Sequence, residues 1–274
     1  MPPDPIFLAT AIEAVTRAGA IQKAHFGKLE RIDKKGDIDL VTEVDVEVEQ
    51  MFRDLIAERF PAHRILAEEF GSTGSGDAGS AYCWVFDPVD GTTNYAHGMP
   101  IFCSSLALEI DGRAEVAAVF DPMRAELFTA ERGGGARLNG RPLRVSGADR
   151  LIDAMLCTGF PYNIHAIVDE VVGLFAAFVG QARAVRRLGS AAIDLCYVAA
   201  GRLDGFWERL LSPWDIAAGA LIVEEAGGRI SSLAGGPFDS RAGEVIASNG
   251  RIHEAMVAVI ADYHAASRSR KRTD

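Results

Sequence analysis

The residues of this chain best suited to chemistry lie in Asp87-Pro88-Val89-Asp90-Gly91-Thr92-Thr93-Asn94, directly after the apolar run Trp84-Val85-Phe86. The apolar run predicts a buried strand, and the threonines after Gly91 predict a helix start. Pro88 fixes its own φ and pushes Asp87 toward an extended conformation. The turn can therefore hold both carboxylates toward one point, with the Val89 carbonyl between them. Such oxygens suit a hard cation like Mg²⁺, which keeps waters that a substrate can exchange. Gly91 lets a substrate approach the backbone, and the N–H groups that follow suit a phosphate. Metal carboxylates beside an anion cradle point to phosphoryl chemistry. The same two aspartates could instead cap a helix and start a turn, as Asp before Pro does in ordinary loops.

A chain of 274 residues can bury a substantial core as one large domain or two closely packed halves. Its net charge of −10 argues against a nonspecific nucleic-acid binder. An acidic enzyme with an anionic substrate would need metal ions to offset the repulsion. Cys83, Cys103, Cys157 and Cys196 form no C-x-x-C pair and follow no secretory signal, so they read as reduced core residues of a cytoplasmic protein. No apolar run is long enough to span a bilayer, and no membrane partner is expected.

The elements that must position the turn are legible on either side of it. Ile6 to Phe26 has helical apolar spacing and stops at Gly27. A polar loop or hairpin, Lys34 to Asp45, feeds a second helix with Val48, Met51, Phe52, Leu55 and Ile56 on one stripe. Thr42 and Asp45 have capping-box spacing, which by itself explains Asp45. Arg64 to Glu69 is a short apolar segment ending in two acids, and the Gly/Ser-rich stretch 71–79 reads as a flexible connector. Strands are expected at 102–110 and 115–120 around Asp111-Gly112, then at 126–130, 136–138 and 143–145 around Asn139-Gly140. The second half alternates. It has a helix at 164–179, a strand near 185–188, a helix capped by Ser190, a strand at 203–208, a helix from Trp214 to Gly227-Gly228, strands at 229–232 and 244–248, and a helix from His253 to about Ala265. The expected division is a subdomain over 1–146 with most of the metal ligands, a second over 147–266 completing the site, and a basic tail over 267–274.

Taken together, Asp39-Leu40-Val41-Thr42 with Asp45, Glu68-Glu69, the Asp87 to Asn94 motif, Gly189-Ser190-Ala191-Ala192, and Trp214-Asp215-Ile216-Ala217-Ala218-Gly219 followed by Glu224-Glu225-Ala226-Gly227-Gly228 make a recognisable series. The chain resembles the inositol monophosphatase family of metal-dependent, lithium-sensitive sugar phosphatases, from its first helix nearly to its end. The resemblance implies an α+β fold, a layered αβαβα sandwich, and a homodimer. It implies that Glu68, Asp87 and the Val89 carbonyl bind one Mg²⁺, that Asp87, Asp90 and Asp215 bind a second, and that a weaker third sits near Glu68. By the same resemblance Thr92, oriented by Asp45, positions a metal-activated water. The Gly91 and Thr92 N–H groups hold the phosphate, and a phosphate monoester is hydrolysed directly without a phosphoenzyme.

Glu208 matches the family position that accepts inositol hydroxyls, while Gly189, Ser190 and Ala191 match a segment that contacts the ring together with Asp90. Lys34 matches a lysine near the metal site, where a solvated surface lysine is the alternative. Ser212-Pro213 before Trp214 resembles the bacterial branch, whose substrate range is broader. The expected substrate is inositol 1-phosphate. Fructose 1,6-bisphosphate, histidinol phosphate and a nucleotide 3′-phosphate are alternatives that keep the chemistry. A regulatory protein of the transcription machinery on the same fold is the alternative of another class.

Overall fold

The computed structural model describes residues 3–36, 38–72 and 79–270. Helix α1 (Pro5–His25) starts at Asp4, whose carboxylate accepts the Ile6 N–H, with Pro5 at a position where a missing N–H costs little. Its buried residues Ala11, Ala14, Val15, Ala18 and Gln22 recur at helical spacing. Strands β1 (Ile32–Lys34) and β2 (Leu40–Thr42) form a hairpin that feeds α2 (Glu43–Arg59). Helix α2 opens on the expected capping box. The Thr42 hydroxyl accepts the Val44 N–H, and Asp45 accepts the Thr42 N–H.

Strand β3 (Arg64–Ala67) pairs in parallel with β4 (Tyr82–Asp90), which runs into the short helix α3 (Thr92–Ala96). Then β5 (Cys103–Ile110), β6 (Arg113–Asp121), β7 (Glu126–Glu131), β8 (Gly135–Leu138) and β9 (Arg141–Pro142) add antiparallel neighbours. The result is a seven-stranded sheet in sequence order. The expected hairpin at Asp111-Gly112 has φ of 52° and 78°, the left-handed pair that a tight two-residue turn requires. The strand expected over 143–145 lies instead at Arg141–Pro142. Beyond it the chain leaves the sheet, and the Val145 N–H bonds the Ala226 carbonyl.

The second half comprises β10 (Met155–Thr158), α4 (Ile164–Val179), β11 (Ala184–Arg186), α5 (Ala191–Ala199), β12 (Gly205–Arg209), α6 (Pro213–Glu225), β13 (Arg229–Ser231), β14 (Glu244–Ser248) and α7 (His253–Arg270). Its five strands are ordered β11-β10-β12-β14-β13. Strand β10 pairs in parallel with both β11 and β12, and the sequence reading missed it because four residues carry no periodicity. Helix α7 continues past Ala265 to Arg270, so the first part of the expected basic tail is helical. The rest of that tail, and residues 73–78 of the expected connector, lie outside the described residues.

Helices α1 and α2 cover one face of the large sheet, α5 and α6 lie between the two sheets, and α4 and α7 cover the far face of the smaller one. This is the αβαβα sandwich. Strand β4 is buried on both faces. Trp84 and Phe86 point into the core under α1 and α2, where Phe86 stacks on Phe52 at 4.2 Å, while Cys83 and Val85 join the core around α5 and α6. That double burial explains the unbroken apolar run before Asp87. Among the described residues no helix is long and apolar enough to cross a membrane.

Candidate active site

Strand β4 ends in a bulge. Asp87 pairs with Ser105 and Asp90 with Cys103, so Pro88 and Val89 together face the single residue Ser104. Pro88, which has no N–H to offer a ladder, occupies the irregular position. Its carbonyl is tied from behind by Gln22 Nε2 and Ser104 Oγ, each at 2.8 Å, and the Val89 N–H donates to Asp87 Oδ1 at 3.0 Å. Gly91 then takes φ +96°. A Cβ there would lie 2.9 Å from the Ile101 carbonyl oxygen and 3.2 Å from that of Gly189. Only glycine fits this bend. Asn94 Nδ2 donates to the carbonyls of Ile101 at 2.9 Å and Leu188 at 2.8 Å, fastening the turn to the chain just ahead of α5.

The turn faces a cavity of about 470 Å³. Glu68, Asp87, Val89, Asp90, Gly91 and Thr92 reach it from the first half, and Gly189, Ser190, Ala191, Glu208 and Asp215 from the second. Asp45 lies behind it. The Thr92 hydroxyl is 3.1 Å from Asp45 Oδ1 and 2.8 Å from the Val89 carbonyl, while Asp45 Oδ2 accepts the Thr42 N–H at 2.9 Å and its hydroxyl at 2.6 Å. Lys34 is not part of this gathering; it is exposed on β1. Its neighbour Lys35 lines the cavity instead, with Nζ 2.8 Å from Glu68 Oε1 and 2.5 Å from Glu69 Oε1. Lys35 lies just past the end of β1, in the bend that joins it to β2.

Asp90 and Asp215 also serve the backbone. Asp90 accepts the Ser190 hydroxyl at 2.6 Å and the N–H groups of Ala192 at 2.7 Å and Ala191 at 3.2 Å. It thus caps α5, a helix a hundred residues later in the chain. Ser190 stands at the N-cap position of α5 as expected, but its hydroxyl goes to Asp90 rather than to the helix. Asp215 accepts the Ser212 N–H at 2.7 Å at the start of α6.

Burial dominates the electrostatics. It pushes Asp87 well above the usual carboxylate range, and the charges of Glu68, Asp90 and Asp215 add to the shift. Asp215 rises likewise, through burial and then Asp90 and Glu68. Burial raises Asp90 against its three α5 donors, and raises Asp45 to about 6 against its hydrogen bonds from Thr42 and Thr92. Glu208 is raised by burial and then by Asp194. Crowded buried carboxylates are what a divalent cation relieves, and an all-oxygen donor set is what a hard ion takes, so the residues fit Mg²⁺. Among the described residues no three acids, histidines or cysteines close on one point. The oxygens of Asp90, Asp215 and Glu68 are turned toward α5, the start of α6 and Lys35.

Lys35, Arg187 and Asp194 also line the cavity and are outside the expected site. Lys35 was passed over for its neighbour, and Arg187 read as part of a strand approach. Asp194 carries a visible signal, being the single charge within Ala191-Ala192-Ile193-Asp194-Leu195-Cys196-Tyr197-Val198-Ala199. A charge inside so apolar a helix needs a reason.

The model of the inositol monophosphatase family matches residues 6–265. A Pseudomonas aeruginosa protein named Nus factor SuhB is 45% identical over 260 residues, covering 92% of this chain and 95% of its own. The inositol-1-monophosphatase of a Synechocystis species is 43% identical over 272 residues, covering 97% and 94%. The solved structure of an inositol monophosphatase from Anabaena (Nostoc) superposes with a TM-score of 0.85 at 39% identity, covering 94% of this chain and 96% of that one.

Proposed function

This chain belongs to the inositol monophosphatase family, and from that premise we propose that it hydrolyses inositol 1-phosphate to inositol and phosphate with Mg²⁺. The observation that carries the reading is the Thr92 hydroxyl held between Asp45 and the Val89 carbonyl at the edge of a carboxylate-lined cavity. A water placed against Thr92 can pass a proton to its oxygen while Thr92 passes its own to Asp45. Burial has tuned that base to about 6, close to a neutral working pH. Glu68, Asp87, the Val89 carbonyl, Asp90 and Asp215 are the residues that would hold two Mg²⁺, with room for a third beside Glu68. Bound there, the ions supply charge neutralisation for the phosphate and lower the pKa of water.

The N–H groups of Gly91 and Thr92, where α3 begins, are the donors offered to the phosphate oxygens. Glu208 takes hydroxyls of the alcohol, and the backbone from Gly189 to Ala191 borders the ring. Asp90 fixes that backbone by its hydrogen bonds to α5. Much of the catalysis is then positioning, since the phosphate already carries most of its charge. The working unit is a cytoplasmic homodimer sensitive to lithium, and each protomer draws its site from both halves of the chain.

The likeness to a protein named Nus factor favours a second role, in which the same fold also acts as a regulatory partner of the transcription machinery. Phosphate release from inositol 1-phosphate, fructose 1,6-bisphosphate, histidinol phosphate and a 3′-phosphonucleotide, with and without Mg²⁺, tests the primary reading. Mg²⁺-dependent turnover best on inositol 1-phosphate, and reduced at least about a thousandfold in Asp90→Asn, is expected. A different best ester overturns the assignment of inositol and leaves the metal chemistry standing. No turnover on any ester leaves the regulatory role as the better reading.

A further inference from the structure

Helix α2 carries a second buried acid beside Asp45. Glu49 lies four residues later, one helical turn along the same face, and both are 0% exposed. Asp45 faces Thr92, whereas Glu49 grips the turn that follows β3. Its Oε2 accepts the Glu69 N–H at 2.7 Å and its Oε1 accepts the Phe70 N–H at 3.1 Å. Arg53, a further turn along α2, donates from Nε to Glu49 Oε1 at 2.8 Å and from Nη2 to the Gly71 carbonyl at 2.8 Å. Its guanidinium lies 5.5 Å from the centre of the Phe70 ring.

Glu68 therefore stands between two fixed points. On one side Ala67 pairs with Phe86 of β4, and on the other the Glu69 N–H is held by Glu49. The Ala67 N–H also reaches the Gly71 carbonyl at 3.4 Å, which closes the turn. The Glu68 backbone is pinned, while its side chain is 18% exposed and lines the cavity. Glu49 itself does not line the cavity. Stability alone is a weak reason for burying Glu49 with Arg53, because taking two charges out of water costs about as much as their attraction returns. What the pair supplies is direction, since charge-assisted hydrogen bonds to successive N–H groups hold a backbone more firmly than neutral ones.

Resting on the metal-dependent phosphatase reading above, we propose that Glu49 is a positioning residue for the metal site. With Arg53 it sets the backbone of residues 69–71 from behind, so that the Glu68 carboxylate is already in place for Mg²⁺ rather than ordered at the cost of binding. Because Glu49 and Asp45 share one helix, α2 also fixes Glu68 relative to the base.

The test is calorimetric titration of Mg²⁺ into wild type, Glu49→Gln, Arg53→Met and a destabilised control, Val259→Ala, whose buried side chain belongs to the core around α7. The Mg²⁺ dissociation constant should rise about tenfold in Glu49→Gln, rise by less in Arg53→Met, and keep its wild-type value in Val259→Ala. The Mg²⁺ concentration for half-maximal phosphate release from inositol 1-phosphate should move by the same factors. Folded Glu49→Gln with wild-type affinity, or an equal loss in Val259→Ala, overturns the proposal and leaves the phosphatase reading intact. Wild type that binds no Mg²⁺ overturns both. If neither Glu49→Gln nor Arg53→Met folds, hydrogen exchange in wild type decides. Coupling is reciprocal, so Mg²⁺ should slow exchange at the Glu69 and Phe70 amides, and unchanged rates at these two overturn the proposal.

Discussion

Thr92 has one hydroxyl proton and two acceptors within reach, Asp45 Oδ1 and the Val89 carbonyl, so a small rotation decides whether it hands that proton to a base or to the backbone. That economy ties the reaction to the ionisation of Asp45. Its carboxyl is held at about 6, so it is a base above that pH and a bystander below it. Activity should rise as pH is raised through about 6, and Asp45→Asn should lower kcat by about 10²–10⁴ and remove the acid limb of the profile. KM should change little, because Asp45 lies behind Thr92 rather than against the substrate. A steady-state pH series on both proteins checks this, and an acid limb surviving in Asp45→Asn would reassign the base.

At the scale of elements, the site is a junction between the end of β4 and the start of α5. Asp90 belongs to the first and caps the second, and Asn94 ties α3 to the residues before α5. Gly91 is the point at which the junction has no slack. Its left-handed φ and the two carbonyl oxygens close to its missing Cβ leave no room for alanine. Gly91→Ala should cost about 1–3 kcal/mol of stability from strain alone, more as the carbonyls are displaced. It should also lower phosphatase activity by more than its effect on folding explains. Chemical denaturation read beside activity separates the two, and an active variant of normal stability would show that the bend is not needed.

Over the whole molecule, folding gathers carboxylates that are far apart in the unfolded chain. Burial raises Asp45 from 3.8 to about 6 and Glu69 from 4.5 to about 7, and Asp87, Asp215 and Glu208 rise as well. Because these folded-state pKa values exceed the unfolded ones, the native protein holds more protons than the unfolded chain between about pH 4 and 7. Stability therefore falls as pH rises through that window. Lys35, held charged by Glu68 and Glu69 despite its burial, stays protonated throughout and does not change the sign. Metal-free protein should melt at a higher temperature at pH 6 than at pH 8, and Mg²⁺ should raise the melting temperature more at pH 8, where the ions replace the missing protons. Calorimetry at both pH values with EDTA or Mg²⁺ measures this. Equal shifts at the two pH values would mean that these carboxylates are not where the ion binds.

The sequence by itself determined the features that depend on neighbours along the chain. The helical stripe of α1, the capping box of Thr42 and Asp45, the Asp111-Gly112 hairpin and the bend from Asp87 to Gly91 are local, and their residue types carry their own geometry. It also made the order of motifs legible, and with it the family. Tertiary structure alone decided where the hydrogen bonds and charges went. No spacing rule says that Asp90 would cap a helix a hundred residues away, or that the Ser190 hydroxyl would turn from its own helix to that aspartate. Nor does the sequence say that Lys35, in the bend just past β1, and not Lys34 would meet Glu68, since where a turn aims its side chains is set by what folds against it. Strand β10 was hidden because four residues carry no periodicity, and the unpartnered oxygen of Asp194 because only folding buries it. What makes them central is the company brought to them by folding, and burial and pairing are properties of the assembled body.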